Sequence, residues 1–381
     1  MKLFKSLLIA PATLGLLAPL PSISSEIDFQ AISKYSNAEY EIDSNTFNYS
    51  PTNNTLLSGG EGLVESSSSD SFSSTTTASF SAEAILGGVS SDLAVSEAVS
   101  FDYQYQIGLT SSFTGEDTLS VTIDAAGPSG VAPADATGDD VAMSESAMFF
   151  GMDSTDDALV VDGITYTFPV GASTMMVGDS TDICAMYTGA CAYGGFSDYI
   201  GDCGTGNSIG LGGVGATVAG SYAFDGGFSL AAGVSSPNTE VLGDGVDAYG
   251  VEAAYTADDY GVSLAFADVE TSTYVGLNGY YTFDFATISA GYETEDIDEG
   301  TDASAFFVGL TKEVGPGTAE LGYASTDMAT GLTTDGSTGY LYEVSYAYPV
   351  NDALTITPGI AIVDTDAGET TTAAVKASFS F

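Results

Sequence analysis

The chain has 381 residues and carries 52 Asp and Glu against 5 Lys, with no Arg, His or Trp, for a formal net charge of −47. That charge repels polyphosphate and excludes nucleic-acid binding. The lack of imidazole removes the usual general base and every Ser–His or Cys–His arrangement, so no enzyme is read here. Yet mean hydropathy is +0.18, and aromatics reach 11% through 22 Tyr and 20 Phe. An acidic solvating chain would be polar and poor in aromatics.

Residues 1–24 open with Lys2 and Lys5 ahead of the apolar run Leu7 to Leu20, with Ser22-Ile-Ser24 supplying small residues after it. This is the pattern of a secretory signal peptide, and Pro11, Pro19 and Pro21 argue against a buried helix. Residues 25–70 hold Asn53-Asn54, Ser66-Ser-Ser-Ser69 and scattered acids without clear period. They read as a short periplasmic N-terminal arm or linker.

From residue 71 to 381 the apolar residues alternate with polar ones in short segments. This is the mark of strands with one face towards lipid and the other towards water. The expected strands are 71–86, 95–110, 117–125, 157–168, 171–177, 213–224, 227–236 and 247–257, then 260–269, 273–283, 285–294, 302–313, 317–326, 339–349, 353–363 and 372–381. Sixteen is an even number. Short connections such as Phe224-Asp-Gly-Gly227, Thr282-Phe-Asp-Phe285 and Tyr348-Pro-Val-Asn-Asp352 alternate with longer acidic ones, among them Glu293 to Asp302, Ser325 to Ser337 and Asp364 to Thr371. Bacterial barrels have short periplasmic turns and longer outer loops. The expected fold is therefore all-β, a transmembrane antiparallel β-barrel of about sixteen strands. A soluble sandwich core would give similar alternation.

Parity within each strand assigns the faces. Tyr340, Tyr342, Val344, Tyr346 and Tyr348 point one way, and Leu341, Glu343 and Ser345 the other. The same parity puts Asp102, Asp124, Glu252, Glu293, Glu320 and Glu343 on the lumen face, where carboxylates concentrate cations and repel anions.

Cys184, Cys191 and Cys203 share the long connection 178–212, the third outer loop by strand count. An exported chain predicts one disulfide among the three and one thiol left over, with the pairing open. A metal site would need His partners, which are absent, and no cofactor is implied. Asp364-Thr-Asp-Ala-Gly-Glu369 hints at a calcium loop, but its acid spacing is incomplete and no Glu stands at the twelfth position. The last strand alternates Ala373, Val375, Ala377, Phe379 and Phe381 with polar or small residues.

Several stretches, in this order, resemble the porins of cyanobacteria within the carbohydrate-selective porin group, often described as iron-uptake porins. They are Met1-Lys-Leu-Phe4 to Leu20, Ser74-Thr-Thr-Thr-Ala78, Ser112-Phe-Thr-Gly115, Tyr166-Thr-Phe-Pro-Val170, Ala254-Tyr-Thr-Ala-Asp258, Tyr281-Thr-Phe-Asp-Phe-Ala286, Gly309-Leu-Thr-Lys-Glu-Val-Gly-Pro-Gly317, Ser345-Tyr-Ala-Tyr-Pro-Val-Asn351 and Ser378-Phe-Ser-Phe381. The resemblance implies a sixteen-stranded barrel in the cell outer membrane, passing small solutes and inorganic ions. It also implies that Phe379 and Phe381 act as a signal to the barrel assembly machinery, and by analogy that the chain forms a homotrimer. In general porins the third loop narrows the barrel, which makes Asp179, Asp182, Asp198 and Asp202 the constriction acids. Two departures stand out: 25–70 is too short for the family's S-layer homology domain plus coiled coil, and Lys34, Lys312 and Lys376 are the only bases past the signal. Cation preference is therefore expected. A different class, an acidic secreted surface or calcium-dependent adhesion protein, would share the composition but not a closed barrel.

Overall fold

The computed structural model describes residues 76–92, 99–127, 155, 157–197, 200, 203–206, 208, 215–236, 247–269, 272–298, 300–325, 339–365 and 368–380. The expected leader 1–24, the expected arm 25–70 and Phe381 lie outside the described residues.

Sixteen strands form one closed antiparallel barrel. They are β1 (Thr76–Ser91), β2 (Val99–Ser111), β3 (Thr118–Ala126), β4 (Val160–Val170), β5 (Ser173–Thr181), β6 (Gly215–Ala223), β7 (Phe228–Ser236) and β8 (Ala248–Thr256). The second half comprises β9 (Tyr260–Asp268), β10 (Ser272–Phe283), β11 (Ala286–Ile297), β12 (Ala303–Val314), β13 (Gly317–Ser325), β14 (Gly339–Asn351), β15 (Leu354–Thr365) and β16 (Gly368–Ser380). Each pairs with its sequence neighbours, and β1 pairs with β16 from Ser81↔Ser380 to Ser91↔Thr370. Closure leaves no free edge, so strand amides find partners within the sheet even in an apolar solvent.

The apolar half of the alternation faces out. In β8, Tyr249 and Val251 are about half exposed while Ala248, Glu252 and Ala254 are buried inside. Outward aromatics cluster at the short-turn end: Phe228 packs on Tyr255, Tyr255 on Tyr260, and Tyr281 on Phe283, with centroids 4.7, 5.7 and 4.5 Å apart. At the opposite end Tyr323 stacks on Tyr340 and Tyr342. Tyr249 and Tyr255 are six positions apart on β8, about 20 Å along a strand, comparable with the roughly 25 Å apolar band between aromatic girdles in outer-membrane barrels.

The turn chemistry is local. Asp225-Gly226-Gly227 joins β6 to β7 with φ of 93° at Gly226 and 92° at Gly227, where glycine carries no steric penalty. At β2–β3, Asp117 closes the turn by accepting from the Phe113 and Thr114 amides and from the Ser112 and Thr114 hydroxyls, while its other oxygen takes Tyr166 Oη–H at 2.7 Å. Desolvation pushes this carboxyl upward, but the hydrogen bonds outweigh it and hold its pKa well below the ordinary range.

Two connections depart from the expected alternation. The segment Asp364 to Thr371 is a tight hairpin, not a long loop: Asp364 pairs with Glu369 and Thr365 with Gly368. Its Thr-rich flanks, Thr365 and Thr370 to Thr372, suit the ladder better than a solvated loop. The β9–β10 connection at the same end is also short, with β9 ending at Asp268 and β10 starting at Ser272.

Candidate functional site

The candidate site is the lumen and the connection between β5 and β6, which turns inward. It starts with a short 3₁₀ turn, Ile183–Met186, and runs along the inner wall. Thr188 and Gly189 donate their amides to Glu252 of β8 at 2.7 and 2.9 Å. Ala192 meets Ser289 of β11 and Thr311 of β12. Gly194 donates to Glu320 of β13 at 3.1 Å. Glu343 of β14 then accepts from Tyr193 Oη–H (2.8 Å), the Phe196 amide (2.8 Å), the Ser197 amide (3.1 Å) and the Ser197 hydroxyl (2.6 Å). On the return, Thr205 bonds Asn278 of β10 and the Ser208 amide bonds Glu293 of β11 at 2.5 Å. A Cys191–Cys203 disulfide, with Cα atoms 5.7 Å apart, ties the outgoing limb to the returning one. Cys184 stays outside it and is part-buried.

The chemistry explains the acids. A loop threaded through a barrel has backbone N–H groups without a ladder, and a buried amide without an acceptor costs about 1–3 kcal/mol. Carboxylates on four strands supply those acceptors. Burial beside Glu343, followed by that carboxylate's charge, raises the Tyr193 phenol far above its ordinary pKa and keeps it a donor. Apolar packing completes the seat: Tyr193, Phe196 and Ile200 sit against Phe307, Leu341 and Val363. Tyr193 and Phe307 have ring centroids 4.9 Å apart.

Inward-facing glycines make the room. A Cβ on Gly291 would lie 2.0 Å from the Cys203 carbonyl, and one on Gly276 2.0 Å from the Ser208 hydroxyl. On Gly322 and Gly359 a Cβ would meet Tyr193 and Phe196 at 2.5 Å. The sequence reading missed these positions, although each glycine lies between outward-facing residues in a strand.

The lumen acids are thus divided. Glu252, Glu293 and Glu343 face inward but are buried beneath the loop, at 3, 0 and 4% exposure, so they do not border open solvent. Glu320 is half-buried at the loop's edge. Asp102 faces inward on β2, accepting from Ser100, and Asp124 is buried on the inner face of β3. Near them Glu83 accepts from Gln104 and Ser378 and sits 4.0 Å from Lys376. With Gln106 and Asp124 this wall lines a cleft of about 380 Å³. Further round, the inner wall presents hydroxyls, with Thr110 opposite Ser120 and Ser120 opposite Thr165.

Of the four expected constriction acids, Asp179 and Asp182 lie among the described residues. Asp179 belongs to β5, not to the loop, and pairs with outward-facing Ile164, because β5 runs on to Thr181 through a register shift. Asp182 precedes the 3₁₀ turn and makes no capping bond. Asp198 and Asp202 lie outside the described residues. Among the described residues no three acids or cysteines cluster as a metal site.

No family model matches the sequence, and no curated protein matches it. Solved structures do match the fold. An anion-selective porin from Comamonas acidovorans aligns with TM-score 0.58 and 15% identity, over 81% of this chain and 99% of that one. OmpT of Vibrio cholerae lacking loop L8, an outer-membrane protein, aligns with TM-score 0.55 and 14% identity over 80% and 99%. A mutant of the Rhodopseudomonas blastica porin gives 0.52 and 14% over 81% and 100%. At these identities the likeness establishes the fold, a sixteen-stranded barrel of the bacterial porin type.

Proposed function

We propose that the chain is an outer-membrane porin giving passive diffusion to small solutes and inorganic ions, with a preference for cations. One observation carries this reading. The barrel has an apolar outer belt with aromatic rings at both ends and a polar interior divided by its own third outer loop. A structural protein has no use for an occluding internal loop, whereas a channel uses one to set its bore. A secreted surface sandwich is disfavoured by the β1–β16 closure.

The sign of selectivity rests on charge supply. Lys376 is the inward-facing base among the described strand residues, and it sits beside Glu83. The carboxylates beneath the loop accept from amides and hydroxyls and have no base among their named partners, so their negative field reaches the passage. The Comamonas porin is anion-selective by its own description, yet a chain with 5 Lys and no Arg cannot build a basic constriction. The cyanobacterial likeness, the homotrimer, the Phe379 and Phe381 assembly signal and the periplasmic arm 25–70 belong to this same proposal.

Planar-bilayer recording with reversal potentials is the test. Cation selectivity should be strong in dilute salt and fade towards 1 M, where the Debye length is about 3 Å. A reversal potential near zero in a tenfold gradient of dilute salt, or of anion-selective sign, overturns the preference. Absence of any conductance from folded protein overturns the porin reading.

A further inference from the structure

The aromatic belt at the short-turn end is interrupted on β12 and β13. Ring contacts run from β7 to the β10–β11 turn through Phe228, Tyr255, Tyr260, Tyr281, Phe283 and Phe285. There they stop. The outward positions of β12 and β13 at this end, Leu310 to Val314 and Ala319 to Leu321, include no ring. Rings resume on β14, where Tyr346 lies over Gly317 and donates its hydroxyl to the Val314 carbonyl at 2.8 Å.

Lys312 stands in that gap. It is exposed, on the outer face, two positions before the end of β12, or about 7 Å along the strand. Its partner on β13 is Ala319, which pairs in turn with Tyr346 of β14. On the other side, the ladder that joins Thr287 to Thr311 brings Ala286 beside it, and Ala286 pairs with Phe283. The lysine thus rises between two small side chains, with an aromatic residue two strands away on each side, about 10 Å.

No carboxylate among the described residues pairs with this ammonium; the ion pair found there is Lys376–Glu83, inside the lumen. The next residue, Glu313, faces inward and accepts from Thr318. Asp284, in the turn between Phe283 and Phe285, makes no ion pair with Lys312. Tyrosines of such a belt sit at the level of lipid headgroups, and a lysine stem lies along apolar surface while its ammonium reaches the interface. The anion that meets it there is a lipid phosphate. Resting on the porin reading, we infer that Lys312 and its gap form a binding site for one anionic phospholipid of the leaflet on the short-turn side. Lys312 donates to the phosphodiester, and the glycerol end lies on Ala286 and Ala319. A zwitterionic lipid sets its own cation against the same phosphate, so it binds less well.

The chain has no Trp, so a single introduced Trp reports on one place. Phe283→Trp puts it beside the gap, with Phe285→Trp in reserve if that variant does not refold, and Tyr222→Trp puts it at the same end on β6. Each full chain is refolded into mixed vesicles of phosphatidylglycerol and phosphatidylcholine, with one lipid or the other carrying brominated chains. Relative quenching gives the lipid preference at each Trp. Beside the gap phosphatidylglycerol should be preferred about fivefold. Adding Lys312→Gln should bring the ratio to about one, Lys312→Arg should keep it, and on β6 it should not exceed about one in any background. A ratio near one beside the gap with Lys312 present, or a preference that survives Lys312→Gln, overturns the site. So does displacement by inorganic phosphate at matched ionic strength, which would make the ligand a free anion. Quenching on β6 but by neither lipid beside the gap would mean that a second copy covers it, and also overturns the site. If neither lipid quenches either Trp, the barrel is not in the bilayer, and the porin reading falls instead.

Discussion

Lys376 of β16 lies 4.0 Å from Glu83 of β1, across the seam where the barrel closes, and both side chains face the lumen. Both are about a quarter to a third exposed, so the pair contributes roughly 0–1 kcal/mol. Lys376→Gln should accordingly leave the unfolding midpoint within about 1 kcal/mol of wild type. It should also raise the cation-to-anion permeability ratio, because Glu83 loses its nearby positive charge. A ratio that falls in bi-ionic measurements would contradict the account of the lumen field.

The two faces of the barrel should respond oppositely to the same substitution. Val251→Arg puts a charge on the outer belt and should cost about 2–4 kcal/mol if it sits near the bilayer midplane. Thr165→Arg puts it on the inner wall, in water, and should leave stability within about 0.5 kcal/mol while lowering cation preference. Reversible unfolding in lipid vesicles separates them, and equal costs would reverse the face assignment.

Thiol titration of denatured protein should count one thiol, Cys184, without reductant and three with it. Replacing Cys191 and Cys203 with Ser removes a clamp whose entropy is about 3 kcal/mol for a ring of this size. That loss falls on the loop and not on the sheet. Proteolysis within the β5–β6 connection should accelerate up to about a hundredfold while barrel melting hardly changes. A collapse in barrel stability would mean that the loop is part of the folding core.

At the β2–β3 turn the sign of the pH dependence follows from Asp117, whose folded pKa lies below its unfolded one. Its stabilisation is fully present above about pH 4 and is lost as pH falls through the folded value. Asp117→Asn should lower stability at pH 7, and its deficit against wild type should shrink as pH drops below about 3. A deficit that does not change with pH would show that the turn does not depend on the ionised carboxylate.

Much of the barrel was legible because alternation and turns are local. Strand β9, expected at 260–269, spans Tyr260–Asp268, and β13, expected at 317–326, spans Gly317–Ser325. The misses occur where pairing overrides local propensity. The first strand, expected to end at residue 86, runs on to Ser91 through Gly87-Gly88, both paired on two sides, and a Cβ on Gly87 would press on Ala374 at 2.7 Å. The fifth strand was expected at 171–177, yet the β6 ladder carries it to Thr181, which turns Asp179 out of the loop. The route of the loop was hidden for a different reason. Parity places Glu343 inside, but only the fold brings it against Ser197, 146 positions away in sequence.

The β1–β16 seam also sets the order in which the chain can assemble. Ser378 donates to Glu83, 295 residues earlier in sequence, so this edge of β1 has no partner until the last strand has been made. Fifteen of the sixteen seams join neighbouring strands and can form as hairpins, while this one must wait for the whole perimeter. The contact of greatest sequence separation is therefore also the last, and its loop-closure entropy is met only after the other strands are in register. Until then β1 and β16 present two complementary open edges, each able to capture a strand from another molecule. A chain arrested before Gly368 retains an unpaired edge on β1 however well the rest has folded, which makes late truncations more prone to aggregate than their small loss of mass suggests.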